Sequence, residues 1–247
     1  MTIPWASLIW RTREGGRRRN EEASRELGRG GMWLKIIDLT LPISEGLPTW
    51  PGDPVVRLRP HQEIGAGSDY RVSAITMGTH SGTHLDAPCH CIQGGPSLDR
   101  MDLNRCVGRV RVIPLGDLQP GAKITLEDLL PYEDALQNGG MVLLQTGWSR
   151  RINDNFFTDF PSIEPDCVQW LIDQGITLLG VEQPSLHVEL DSLVHMMFLS
   201  AGVIIVEGLA NLDLVPDGAM VAILPLRLVG ADGAPARAVC ILDEDVK

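Results

Sequence analysis

A single mixed α/β domain is the fold class that this sequence predicts, on three observations. Short apolar runs alternate with Gly and Pro punctuation from Trp33 onward, two helix-to-strand units follow one another in the second half, and neither an internal repeat nor a Gly/Ser linker divides the chain. The 247 residues, 44% hydrophobic and 21% charged, are enough to build a core without staples.

The first strand is expected over 36–43, ahead of a loop, 47–54, in which three prolines flank Trp50 and stiffen the backbone. Further strands are expected over 70–77, 107–115, 141–146, 176–181, 203–206, 220–226 and 238–242. Those that are apolar throughout read as buried on both faces. A helix over 125–130 opens on a capping box, Thr125 with Asp128. A second, over 165–174, has Pro165 in its first turn and stops at Gly175 before the strand at 176. A third, over 191–200, repeats that plan and stops at Gly202.

Charge narrows the partners. The formal net charge is −11, a field that repels phosphate backbones and anionic lipid, so neither nucleic acid nor a membrane is expected as a partner. Residues 1–31 run against this balance, with seven Arg and four Glu, 7 − 4 = +3. Their apolar patch precedes the basic run, the reverse of a secretory signal, and the segment reads as a disordered basic extension ahead of a domain over 32–247. Five cysteines without a CxxC pair fit a reduced, cytoplasmic protein, and no apolar run reaches the roughly 20 residues of a membrane span.

The chemistry concentrates in residues 80–90, which hold three of the six histidines together with Asp86. A helix would bring His80 and His84 to one face but turn Asp86 away, and Gly82 and Pro88 oppose a helix in any case. On a straight strand His80 and Asp86 would stand roughly 20 Å apart at about 3.3 Å per residue. A loop curled at Gly82 solves both problems, bringing imidazoles and a carboxylate together as ligands for a divalent metal. Several polar rings in one loop each need a partner, and one ion satisfies them together.

The text His80-Ser81-Gly82-Thr83-His84-Leu85-Asp86-Ala87-Pro88-Cys89-His90 resembles the signature of the cyclase-like metal-dependent hydrolases, a family that includes kynurenine formamidases (arylformamidases) and isatin hydrolases. The resemblance extends over about 36–245, through Trp50-Pro51-Gly52-Asp53, Thr146-Gly147-Trp148 and Gly233-Ala234-Pro235-Ala236-Arg237. It implies a swivelling β/β/α fold with a mixed sheet curled around a metal site. It also implies metal ligation by His80, His84, Asp86, His195 and Glu207, with Asp86 bridging two ions, His90 as the acid/base, and Trp50 lining the substrate pocket. The ions implied are zinc, two being possible, or manganese. The assembly implied is a homodimer or homotetramer.

On the residues alone, His195 lies in an otherwise apolar helix and Glu207 closes a buried strand, so both need partners. Glu207 also fits an ordinary cap or salt bridge, and Trp50 plain packing. His61 and His187 match no motif. The resemblance further implies that the segment 181–185, with Glu182 where many relatives carry aspartate, borders the substrate. The reaction implied is hydrolysis of an amide bond in a small aromatic or cyclic molecule. Isatin or cyclic-imide hydrolysis, polyketide-type cyclisation or dehydration, and non-catalytic metal-stabilised binding are the alternatives.

Overall fold

The computed structural model describes residues 34–243 except 66, 153 and 154, so the expected extension over 1–31 lies outside the described residues. Residues 36–242 form one compact unit. In chain order its strands are β1 (Leu34–Asp38), β2 (Arg57–Gln62), β3 (Val72–Thr76), β4 (His84–Asp86), β5 (Val107–Pro114), β6 (Lys123–Ile124), β7 (Gly140–Gln145), β8 (Ser162–Ile163), β9 (Ile176–Val181), β10 (Ile204–Glu207), β11 (Met220–Pro225) and β12 (Gly233–Asp243). The helices are α1 (Leu126–Leu129), α2 (Glu133–Leu136), α3 (Pro165–Asp173) and α4 (Asp191–Ser200). Among the described residues no helix is long and apolar enough to cross a membrane.

The main sheet closes on itself. Its order is β12-β11-β5-β7-β9-β10-β4, and β4 pairs back onto β12, giving a seven-stranded ring with β1 beside β12. The pairs β5–β7, β7–β9 and β9–β10 are parallel, and the other ring pairs are antiparallel. Successive side chains alternate between the two faces. Leu143, Leu178, Val206 and Val221 pack with Leu85 in one apolar cluster, whereas Val142, Leu144, Leu179 and Ile205 pack with Val168, Leu171, Val194 and Phe198 of α3 and α4 in another. The two-sided burial expected of the apolar strands follows from these layers.

Local signals hold where they are self-contained. The capping box of α1 is formed, with the Thr125 N–H and hydroxyl both donating to Asp128 Oδ2 at 2.8 and 2.9 Å. The first strand ends at Asp38 rather than 43, because Leu39 and Thr40 leave it to bond Ala238 and bridge Leu209. The last strand begins at Gly233 rather than 238, because its first residues pair with β4. The 80–90 loop is not loop throughout: His84–Asp86 form β4, held on one side by Ile205↔Asp86 and Glu207↔His84 and on the other by Gly233↔Asp86 and Pro235↔His84.

Candidate metal centre

Strand β4 determines which side chains meet. Leu85, its middle residue, belongs to the cluster shared with Val206, so His84 and Asp86 project from the opposite face. Glu207 stands opposite His84 in β10, and α4 packs across this face to deliver His195. His80 precedes the strand and is folded back by Gly82, whose φ of 68° suits glycine. The 20 Å span of a straight strand thereby collapses, and His80 Nδ1 lies 2.9 Å from Asp86 Oδ1.

The five side chains converge with a consistent polarity. His84 Nε2 lies 3.5 Å from Asp86 Oδ1 and 3.4 Å from Glu207 Oε2. His195 Nε2 lies 3.4 Å from Asp86 Oδ2 and 3.1 Å from Glu207 Oε1. The outer nitrogens are all engaged: His84 Nδ1 with Gly82 O at 2.9 Å, His195 Nδ1 with Asp191 O at 2.9 Å, and His80 Nε2 with Asp232 Oδ2 at 3.2 Å. A carbonyl or carboxylate oxygen only accepts, so each outer nitrogen donates and each neutral ring turns a lone pair inward.

Those lone pairs face carboxylate oxygens, which is an arrangement that calls for a cation. His84 Nε2 and both oxygens of Asp86 are buried and have no hydrogen-bond partner, and among the described residues none that lines the cleft is Lys or Arg. Without a cation, protons take its place. Burial disfavours charge on the His80 ring, but the adjacent Asp86 and Asp232 carboxylates outweigh it and raise the pKa to about 9. His84 and His195 are raised against burial in the same way, chiefly by Glu207 and by Asp191 respectively. Burial likewise opposes ionisation of Asp86, and His195 and His80 hold it well below the usual carboxylate range. The donor set of imidazoles and carboxylates fits a divalent metal ion, with Asp86 lying between the His80–His84 pair and the His195–Glu207 pair.

His90 differs from these three rings. It closes a single turn, Pro88–His90, and is exposed where His84 and His195 are each 4% exposed. Its ring lies 4.1 Å from that of His80, and one of its nitrogens comes within metal-sharing distance of Asp86 and His195. The cluster opens into a cleft of about 280 Å³ bordered by Trp50, Phe157, Ser185, Asp191 and Asp232. Trp50 stands edge-on to Phe157 and Phe160, at 5.9 and 6.2 Å between ring centres. A larger cavity of about 680 Å³ shares Asp86 but no other member of the cluster, and its walls include Ile92, Met101, Leu199 and Val203. The small cleft is therefore the place where chemistry can occur.

The segment 181–185 borders this cleft only through its end, at Pro184 and Ser185. Glu182 turns into the protein, accepting from the N–H groups of Thr146 and Gly147 and from the Ser149 hydroxyl, while burial raises its pKa. His187 is likewise structural, with Nδ1 accepting from the N–H groups of Glu189 and Leu190. Asp232, Asp191 and Phe157 are cleft residues that the sequence reading passed over. For Asp232 the available signal was its place immediately before the Gly233–Arg237 segment.

The family model described as "Putative cyclase" matches residues 37–188. The chain belongs to that family. Kynurenine formamidase of Geobacillus thermodenitrificans is 34% identical over 205 residues, spanning 82% of this chain and 95% of that protein. A solved structure described as a potential metal-dependent hydrolase with cyclase activity is 32% identical, with a TM-score of 0.69 over 86% of this chain and 100% of that one. Isatin hydrolase A of Labrenzia aggregata shares the fold, with a TM-score of 0.76, 23% identity, and coverage of 92% of this chain and 99% of that one.

Proposed function

We propose that this chain is a metal-dependent hydrolase that cleaves the amide bond of a small aromatic or cyclic substrate, as an arylformamidase does. The observation that carries the reading is the convergence of three inward lone pairs on Asp86 and Glu207, beside the exposed His90 in an aromatic-rimmed cleft. The similarity to kynurenine formamidases over most of both chains supports it. His80, His84, Asp86, His195 and Glu207 would hold zinc, as one ion or two, or manganese. Such an ion supplies, when bound, Lewis acidity toward a carbonyl and a water acidified toward a pKa of about 7.

The chain's own residues do the rest. Trp50 and Phe157 form the wall against which a substrate ring packs, and Ser185 offers a hydroxyl beside it. His90, exposed beside the cluster with a ring nitrogen close to Asp86 and His195, accepts the proton of the attacking water and returns it to the leaving nitrogen. A purely structural metal site would close its coordination with protein ligands and keep no exposed base beside it. Residues 32–247 constitute the catalytic domain in this reading, to which residues 1–31 are dispensable.

Assembly into a homodimer or homotetramer belongs to the same proposal. The β2–β3 hairpin is exposed on both faces and carries Leu58, Val72 and Ile75, an apolar surface that a two-stranded ribbon cannot bury by itself. Five unpaired thiols fit a reducing, cytoplasmic setting. Metal analysis together with turnover of formyl-anilides, isatin and cyclic imides tests the function. Turnover by stoichiometrically metal-free protein, or turnover of none of these substrates by the metal-loaded protein, would overturn it.

A further inference from the structure

Three outer contacts orient the three clustered imidazoles, and they differ in kind. His84 and His195 donate to backbone carbonyls, those of Gly82 and Asp191, which belong to the fold itself. For His80 the acceptor is a side chain, Asp232, in the turn that leads into β12. The Asp232 carboxylate is itself steered, since the Thr79 hydroxyl donates to Oδ1 at 3.0 Å and leaves Oδ2 to the ring. The backbone of Asp232 is tied to the same place, because its carbonyl accepts from the Ala87 N–H at 2.8 Å, one residue beyond Asp86.

The same oxygen lies near a second ring without bonding to it. Asp232 Oδ2 is 3.2 Å from His80 Nε2 and 3.7 Å from His90 Nδ1, and the two rings are tilted by 38° against one another. We infer that Asp232 is a positioning residue that fixes His80 in the tautomer with its Nδ1 lone pair turned to Asp86. A metal-bound imidazole held by an outer carboxylate is more basic and better oriented than one left to water. The inference rests on the proposed ligand role of His80. Because His80, His90 and Asp232 also lie close enough to share an ion, the competing assignment is that Asp232 is itself a ligand.

The test uses the full chain, stripped of metal and titrated with zinc against a chromophoric chelator, for wild type, Asp232→Ala and Asp232→Asn. The expected result for Asp232→Ala is an unchanged zinc stoichiometry with an affinity weakened about 10- to 100-fold, the usual effect of losing an outer partner. Asp232→Asn keeps an oxygen that accepts from His80 Nε2, and is expected to recover most of that affinity. In the loaded enzyme kcat is expected to fall in Asp232→Ala with KM little changed, since the orientation of His80 rather than substrate binding is disturbed. Wild-type affinity in Asp232→Ala overturns the inference, as does an Asn variant as weak as the Ala variant. A drop in stoichiometry would make Asp232 a ligand and overturn it as well. Failure of the wild-type chain to bind zinc or manganese would instead refute the metal reading, and the titration needs no substrate.

Discussion

Gly233→Ala is the substitution that tests the centre most sharply, because a single methyl group has a calculable effect there. A Cβ built on Gly233 lies 2.7 Å from His80 Cε1, 3.0 Å from His80 Nε2 and 2.9 Å from the Leu85 carbonyl oxygen. Leu85 is the fully buried middle of β4 and is held by strands on both sides, so it cannot yield. The ring must move. Withdrawing Cε1 from 2.7 to an ordinary 3.4 Å displaces it by about 0.7 Å, several times the tolerance of about 0.2 Å on a metal–ligand distance. Overpacking of this kind costs about 1–3 kcal/mol of stability, and the loss of His80 geometry should weaken zinc binding by at least the 10- to 100-fold typical of a disturbed outer partner. Gly230→Ala is the matched control. Its φ of +78° makes alanine strained, at about 1–2 kcal/mol, but a Cβ there meets nothing within 4 Å. Thermal melts and chelator competition on both variants should therefore show two destabilised proteins of which only one loses metal affinity. Wild-type zinc affinity in Gly233→Ala would refute the argument that the His80 ring must stay where it packs against β12.

His90→Ala should keep its metal and lose about 10²- to 10⁴-fold in turnover, whereas His84→Ala should lose both; release of metal by His90→Ala in the same chelator assay would count His90 among the ligands. In metal-stripped protein the raised pKa of His80, about 9 against the ordinary 6.5, contributes stability that is complete below 6.5 and is lost as pH rises through 9. That span corresponds to about 3 kcal/mol, and a melting temperature that climbs from pH 6.5 to 9 after stripping would contradict it. Deleting residues 1–31 should leave zinc content and turnover unchanged, and a shortened chain that no longer binds zinc would end the description of that segment as dispensable. Replacing Leu58 and Ile75 with aspartate should lower the sedimenting mass if the β2–β3 hairpin carries the assembly, and an unchanged mass would move the interface elsewhere.

Most of the fold could be read wherever the governing contacts are local. The capping box at Thr125, the Pro165 start of α3 and the apolar runs of β7 and β9 each declare themselves within a few residues. Strand β4 did not, because it is three residues long and two of them are polar; what makes it a strand is pairing with partners more than a hundred positions away. The β2 strand was hidden by its text, Arg-Leu-Arg-Pro-His-Gln, whose proline and charges argue against a strand. At the site, His80, His84 and Asp86 are marked by their clustering in one loop, whereas His195 and Glu207 join them only through the family resemblance, their apolar settings showing no more than that each needs a partner. Asp232 is unmarked, since a carboxylate among Gly and Ala residues looks like any solvated loop, and its role is visible only once the ring of His80 is seen beside it.

The closure of the ring through β4 also sets an order of events during synthesis. The strand that carries His84 and Asp86 emerges early, but both neighbours that pin it, β10 and β12, come from the far end of the chain. Until the last strand has left the ribosome, β4 has a free edge and its carboxylate has no fixed surroundings, so the nascent chain holds a set of scattered histidines rather than a centre. Contacts of such long sequence separation form late and slowly. A metal ion present at that stage meets an unformed site, and its selective capture must wait for the barrel to shut.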